Sequence, residues 1–183
     1  MSNLFINACV REESRTIIIA KDIIKKFNLE CVEINLQKEN LKPLDETFLK
    51  DREKCLNNND LSNNMFKLAK QFAEAENIVI AAPYWDLSFP ALLKMYIENI
   101  CVSGITFKYE NNKPNGLCRA KKLIYVTTAG GKIFADFGYS YIKQLANSLW
   151  GIQDTICFKA ENLDVENISY EEVLNKVNII ETI

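Results

Sequence analysis

The stretch NIVIAAPYWDLSFPALLKMYIENI, residues 77–100, decides the fold of this protein. Its first seven residues are almost continuously apolar and end in a proline, which is typical of a strand buried on both faces of a parallel sheet. Between residues 89 and 100 the apolar side chains recur every three to four positions, which predicts an amphipathic helix. We expect Ser88 to cap this helix, with Pro90 in its first turn. The stretch therefore predicts a strand, an aromatic tip and a helix, the repeating unit of an α/β sheet.

The same alternation extends along the rest of the chain. Further apolar runs of strand length occur at residues 3–8, 31–36, 121–131 and 152–158. Helical spacing occurs at residues 14–27, 65–76, 139–150 and 169–180, with a short helix around residues 46–55. Five strands separated by helices predict an α/β fold, a five-stranded parallel sheet with helices on both faces. No internal repeat or linker interrupts the 183 residues, so we predict a single domain over residues 1–183.

Composition excludes several classes of function. A net charge of -2 argues against a general nucleic-acid binder, which usually has a basic face. No apolar run approaches the roughly 20 residues of a membrane span, and the first residues do not resemble a signal peptide, so we predict a cytoplasmic location. The chain has no histidine, which removes imidazole-based nucleophile systems and histidine-bound zinc. The six cysteines form no C-x-x-C pair, and we predict no metal site.

Three segments follow strands at the carboxyl edge of the predicted sheet, where ligands of such sheets bind. The first is REESRT, residues 11–16, which opens the first helix. A helix N-terminus presents free backbone N–H groups to anions, and the arginine and hydroxyl side chains could add donors for a phosphate. The candidates are Arg11, Ser14, Arg15 and Thr16. The two glutamates of this segment oppose an anion, and a solvated charged turn is the alternative.

The other two segments are PYWDLS, residues 83–88, and TTAGG, residues 127–131. Tyr84 and Trp85 place large rings at a strand end where simple turns prefer Gly, Asn, Asp or Ser, so they could border a planar ligand. Packing of Trp85 against the following helix is the alternative. The small residues of TTAGG would let a ligand approach the backbone, although an ordinary loop explains them equally well.

A second chemistry is compatible with the first segment. Cys9, Arg15 and Thr16 match the pattern C-x5-R-[ST], which resembles the phosphate loop of low-molecular-weight tyrosine phosphatases, where a thiolate attacks phosphorus. The loop contains no glycine, which makes a tight cradle of backbone N–H groups harder to form. Its glutamates, Glu12 and Glu13, should also raise the pKa of the thiol. We keep a phosphatase as the alternative function.

Taken together, the segments resemble the flavodoxin-like FMN oxidoreductases of the NAD(P)H:quinone reductase and azoreductase type. The resemblance is most specific in AEAENIVIAAPYWDLSFPALLKMYIENICVSGITFKY, residues 73–109, where Gly104, Thr106, Phe107 and Tyr109 match a G-x-T-F-x-Y element. NGLCRAKKLIYVTTAGG, residues 115–131, resembles the continuation of that pattern. The resemblance reaches residue 150 and implies a flavodoxin-like three-layer sandwich.

The resemblance also implies a cofactor and a site. FMN would be bound, NADH or NADPH would be the electron donor, and a quinone, azo compound or similar planar molecule would be the acceptor in a ping-pong reaction. The 11–16 segment would bind the FMN phosphate. The isoalloxazine ring would lie along Pro83, Tyr84, Trp85, Asp86 and Leu87, and against Thr128, Ala129, Gly130 and Gly131 from the neighbouring strand.

Members of this family are homodimers in which the second subunit completes the site, so the resemblance implies a homodimer here. The family commonly has Asn where this chain has Asp86, which replaces an amide donor by a carboxylate. Because the flavin carries the redox chemistry, no histidine is needed, and the proton for the acceptor could come from water or from Tyr84. A flavodoxin-like electron carrier without enzymatic activity is a further alternative.

Overall fold

We describe the fold from a computed structural model, in which residues 2–181 are described, with side chains through residue 179. The strands are β1 (Asn3–Asn7), β2 (Cys31–Asn35), β3 (Asn77–Ala81), β4 (Phe107–Glu110), β5 (Lys113–Gly116), β6 (Lys122–Thr128), β7 (Asp154–Ala160) and β8 (Asn178–Glu181). The α-helices are α1 (Arg15–Lys26), α2 (Glu46–Asn57), α3 (Lys67–Glu74), α4 (Ala91–Ile100) and α5 (Tyr139–Leu145). Short 3₁₀ turns occur at Asn64–Phe66 and Val173–Lys176, and a π-helical turn, Ala146–Trp150, prolongs α5.

The main sheet has the strand order β2-β1-β3-β6-β7-β8. Its first five strands are parallel, as the alternation of strands and helices predicts, and β8 is antiparallel to β7 at the edge. Strands β4 and β5 form a separate antiparallel hairpin that the sequence analysis did not predict. No helix of the described part of the chain is long and apolar enough to cross a membrane.

Helices cover both faces of the sheet, which gives the three layers expected of this fold. On one face, α3, α4 and α5 pack over β3 and β6 in a core that includes Phe66, Phe72 and Trp150. On the other face, α1 places Ile19 and Ile23 against the opposite side of the same strands. Burial of both faces explains why the central strands are nearly continuous apolar runs.

The prediction of a C-terminal helix at residues 169–180 is wrong. Ser169 and Glu172 do form a capping box, with Ser169 N donating to Glu172 Oε2 at 3.2 Å and Glu172 N donating to Ser169 Oγ at 3.3 Å. Only one 3₁₀ turn follows, and β8 then pairs with β7. The sequence VNII is rich in β-branched residues and covers a sheet edge that would otherwise present unpaired backbone groups.

The predicted start of α4 is also corrected. The helix begins at Ala91, with Pro90 in the capping position and without a capping hydrogen bond from a side chain. Ser88 lies further back, where its backbone pairs with Trp85 and its hydroxyl donates to the Phe137 carbonyl at 3.3 Å. Ser88 therefore closes the tip of the preceding turn instead of capping the helix.

Candidate functional site

A cleft of about 260 Å³ lies at the carboxyl ends of β1, β3 and β6. Because β1 connects outward to β2 and β3 lies on its other side, this is the point at which the strand order reverses, the usual ligand position in an open α/β sheet. The structure brings all three predicted segments to this cleft. The predicted residues that line it are Arg11, Ser14, Arg15, Thr16, Pro83, Tyr84, Trp85, Thr128 and Gly130.

The first side of the cleft is the N-terminus of α1. Ser14 occupies the capping position in an extended conformation, and its hydroxyl does not bond to a first-turn amide. Since α1 has no acidic residue in its first turn, the positive end of the helix dipole is not neutralised by its own side chains. The first N–H groups of a helix have no partner within the helix. This end of α1 can therefore bind an anion.

Arg15 points from α1 towards the loop that follows β7. Its Nη2 forms an ion pair with Asp164 Oδ1, and its Nη1 donates to the Ile168 carbonyl at 3.5 Å. The Arg15 side chain is 21% exposed and that of Asp164 is 70% exposed, so the guanidinium is mostly covered while its partner faces solvent. Gly130 leaves space for this pair, because a Cβ there would lie 1.9 Å from Asp164 Oδ2.

Asp164 lines the cleft and was missed by the sequence analysis, together with Val10, Glu13 and Tyr170. Asp164 could have been predicted from its position, because it follows β7 at the same edge of the sheet as the other three segments. Its role needs the loop after β7 to fold back, which brings Asp164 N to 2.9 Å from the Gly130 carbonyl. That contact spans 34 residues of sequence, too far for any local pattern to show.

A buried pair of hydroxyl groups joins the two sides of the cleft. Thr16 Oγ1 lies 2.7 Å from Thr128 Oγ1, and both side chains are buried. The pair ties the first turn of α1 to the end of β6. It holds the N-terminus of α1 at a fixed distance from the end of β6.

The aromatic tip is a tight reversal of the chain. Trp85 N donates to the Ser88 carbonyl at 3.1 Å and Ser88 N donates to the Trp85 carbonyl at 2.7 Å. Asp86 and Leu87 between them have φ values of 50° and 66°, as a type I′ turn requires. Asp and Asn tolerate this region, whereas leucine there is strained. Asp86 therefore has a backbone role that either Asp or Asn can fill.

Four predicted residues do not line the cleft. Asp86 and Leu87 form the exposed end of the turn. Ala129 is buried, and its N–H donates to the Ala160 carbonyl at 2.9 Å. The carbonyl of Gly131 accepts from Asn162 N at 2.9 Å. The second half of TTAGG thus holds the loop after β7.

Tyr84 forms the wall of the cleft opposite α1. Its backbone N–H donates to the Thr128 carbonyl at 2.9 Å, which continues the pairing of β3 with β6. Its hydroxyl donates to the Ala135 carbonyl at 2.9 Å. Tyr84 is thus held both at its backbone and at its hydroxyl. The neighbouring residue, Trp85, is 40% exposed. Trp85 lines the cleft and is not among the described side chains that pack on the core beneath α4.

Cys9 lies beneath the cleft and is not placed to act as a nucleophile. Its side chain is buried, and the thiol donates to the Ala81 carbonyl at a sulfur–oxygen distance of 3.7 Å. Burial raises the pKa of Cys9 to about 11, opposed by hydrogen bonds to Ser14 and Thr16 and aided by Glu33. Glu12 and Glu13, to which the sequence analysis attributed a raised pKa, are exposed and are not among the causes. The thiol is therefore neutral near pH 7.

We expect Cys9 to be alkylated slowly by iodoacetamide in the folded protein at pH 7.5, because both burial and the raised pKa suppress the thiolate. Mass spectrometry of the Cys9 peptide measures the rate, with urea-unfolded protein as the control. We also expect no aryl phosphatase activity that disappears in Cys9→Ser. Fast alkylation of Cys9 in the folded protein, or aryl-phosphate hydrolysis that depends on Cys9, would support the phosphatase hypothesis.

The sheet order, the helices on both faces and the cleft at the switch point define a flavodoxin-like α/β protein. A sequence model of the family with the flavodoxin-like fold matches residues 1–178. The chain is 37% identical to FMN-dependent NADH:quinone oxidoreductase 2 of Clostridium acetobutylicum, over 93% of this chain and 91% of that protein. It is 34% identical to an FMN-dependent NADH:quinone oxidoreductase of Clostridium perfringens, over 92% and 90% of the two chains.

Among solved structures, the chain is similar to an FMN-dependent NADH-azoreductase from Bacillus anthracis in complex with FMN. The TM-score is 0.78 and the identity 26%, over 96% of this chain and 93% of that one. This protein belongs to the flavodoxin-like family of FMN-dependent NADH:quinone oxidoreductases and azoreductases. The resemblance on which the sequence analysis relied is confirmed.

Proposed function

We propose that this chain is an FMN-dependent oxidoreductase that oxidises NADH and reduces quinone, azo or similar planar acceptors. The observation that carries the proposal is the meeting of an anion-binding helix end and a ring-bearing tip in one cleft at the switch point of the sheet. The identity of 37% to a protein named FMN-dependent NADH:quinone oxidoreductase 2 supports the same activity.

The residues of the cleft fit the two ends of FMN. The N-terminus of α1 and the guanidinium of Arg15 provide the donors that a phosphate needs, with Ser14 and Arg11 alongside. Tyr84 and Trp85 offer ring faces and edges to the isoalloxazine. Bound FMN would supply the hydride chemistry, which amino-acid side chains do not provide.

Tyr84 has a positioning role in this proposal. Since its hydroxyl donates to the Ala135 carbonyl, Tyr84 anchors the segment of residues 132–138 beside the cleft. Solvent water then provides the proton for the acceptor. We also propose a homodimer with a shared active site, for which the exposed ring of Tyr109 on β4 is available.

The test of this proposal is an absorption spectrum of the purified protein before and after addition of NADH. We expect a yellow protein, or one that becomes yellow on addition of FMN, whose flavin bands bleach with NADH and return with a quinone. NADPH in place of NADH measures the donor preference. A protein that binds FMN without bleaching would be an electron carrier, and one that takes up no FMN would contradict the proposal.

A further inference from the structure

A second, smaller cavity of about 130 Å³ lies on the other side of Tyr84 from the main part of the cleft. Its floor consists of side chains from two neighbouring strands, Tyr125 and Thr127 on β6 and Cys157 and Lys159 on β7. Tyr125 pairs with Cys157 and Thr127 with Lys159 in the parallel register, so the four side chains point to one face of the sheet. The segment of residues 132–138 forms the roof.

The roof segment is held in place by hydrogen bonds to its surroundings. Ile133 N donates to Glu161 Oε2 at 3.3 Å, and the Ala135 and Phe137 carbonyls accept from the Tyr84 and Ser88 hydroxyls at 2.9 and 3.3 Å. These bonds fix the backbone of the segment. They leave the Phe134 ring, which is 82% exposed, at the edge of the cavity.

Two buried hydroxyl groups line this cavity, and neither forms a hydrogen bond of good geometry among the described residues, although the two are close enough to each other to interact. They are Tyr125 Oη and Thr127 Oγ1, on side chains that are 1% and 6% exposed. Two neighbouring polar groups have partners of their own, since Asp136 Oδ1 accepts from Tyr139 N at 2.8 Å and Lys159 pairs with Glu161 at 3.8 Å. Unpaired buried hydroxyls are costly, so a site that contains two of them calls for an acceptor.

Size and lining indicate what kind of acceptor would fit. A cavity of about 150 Å³ holds one benzene ring, so this one belongs to the same size class. Apolar groups dominate the lining, through Ile133, Phe134, Cys157 and the rings of three tyrosines. A mostly apolar cavity with a few convergent polar groups is typical of a small-molecule site and less typical of a water cluster.

We propose that this cavity binds the ring of a one-ring carbonyl compound, such as a benzoquinone, with its oxygen accepting from the Tyr125 and Thr127 hydroxyls. Phe134 covers the ring at the open edge. The expectation that the natural ligand is a quinone rests on the proposed function. Binding of a one-ring carbonyl compound to this cavity does not require FMN.

The ionisation states of the floor residues agree with this assignment. Burial, together with the nearby Cys157 and Asp136, raises the pKa of Tyr125 well above its usual value, and the Thr127 hydroxyl opposes part of the shift. Tyr125 therefore keeps its proton near pH 7 and can donate it in a hydrogen bond. Burial likewise raises the pKa of Cys157, so its thiol stays neutral and does not attack the ligand.

The test uses acetophenone, which carries a ring and a carbonyl oxygen and is neither a thiol reagent nor an electron acceptor for this reaction. Its binding to the full chain, as purified and without NADH, is measured by saturation-transfer NMR and by calorimetric titration. We expect saturable binding that weakens about fivefold in Tyr125→Phe and in Thr127→Val, the loss that corresponds to one neutral hydrogen bond. Both variants keep the size of the side chain, and the interaction that either could remove among the described residues is the one between the Tyr125 and Thr127 hydroxyls.

Phe134→Ala and Phe137→Ala form a matched pair for the edge of the cavity. Both rings are exposed and lie on the same segment, but only Phe134 lines the cavity. We expect acetophenone to bind more weakly to Phe134→Ala and unchanged to Phe137→Ala. Absence of saturable binding, or equal binding to all four variants, would overturn the proposal. FMN titration of the same samples tests the proposed function separately, so failure of one does not imply failure of the other.

Discussion

Replacing Arg15 with glutamine is expected to weaken FMN binding by about 10- to 100-fold, the range for loss of a hydrogen bond to a charged group. Arg15 is the mostly covered cation of the cleft and stands at the N-terminus of α1, where a phosphate would find backbone donors as well. Glutamine keeps a side chain that can donate but removes the charge and the bidentate geometry. Titration of the FMN-free protein with FMN, followed by quenching of flavin fluorescence, measures the change.

Two variants separate a phosphate contact from a general effect of charge or stability. Arg119→Gln removes the same charge from an exposed residue that precedes β6, at the opposite edge of the sheet, and should leave FMN affinity unchanged. Asp164→Asn removes the carboxylate that pairs with Arg15 and should not weaken binding. A loss in Asp164→Asn equal to that in Arg15→Gln would mean that the ion pair serves only to hold the loop after β7.

Replacing Gly116 with alanine is expected to destabilise the fold by about 3 kcal/mol or more, at the upper end of the cost of overpacking. Gly116 ends β5, and a Cβ there would lie 2.2 Å from both Gly151 N and the Trp150 carbonyl carbon. These are backbone atoms, so no side-chain rotation relieves the clash. The hairpin or the π-helical turn would have to move, and Trp150 is completely buried against Phe72, with ring centroids 4.7 Å apart.

Urea unfolding followed by tryptophan fluorescence measures this loss, because Trp150 reports on the contact directly. The matched control is Gly131→Ala, where a Cβ would meet nothing within 4 Å and φ is not positive. We expect its free energy of unfolding to change by no more than about 0.5 kcal/mol. Equal unfolding midpoints for the two variants would show that the hairpin can move without loss of stability. The close approach of Gly116 to Trp150 and Gly151 would then not limit which residue can stand there.

The prediction of the parallel strands succeeded where the pattern of the chain was local and repeated. The stretch of residues 77–100 combines a continuous apolar run with helical spacing, and each pattern has a different period that can be read without knowledge of the neighbours. Most residues that line the cleft could be predicted for the same reason. Segments that follow parallel strands must meet at one edge of the sheet, so Arg15, Tyr84 and Thr128 were expected near one another before their contacts were known.

The errors arose where the outcome depended on contacts distant in sequence. Ser169 and Glu172 carry a helix-start pattern and form its hydrogen bonds, yet the chain beyond them pairs with the open edge of β7. Asp86 stands where the family commonly has Asn, and only the tertiary structure shows that it occupies a type I′ turn with a φ of 50°. Cys9 matched a nucleophile pattern, but its burial under the cleft keeps the thiol protonated.

By itself, then, the sequence determined the five parallel strands, the helices between them and the edge of the sheet at which the cleft forms, because periodicity and chain direction are local properties. Only the tertiary structure decided which side chains face the cleft, that Asp164 pairs with Arg15, and that two hydroxyls on β6 lie unpaired in a second cavity. Each of these depends on residues that are far apart along the chain and on the desolvation that packing imposes on them.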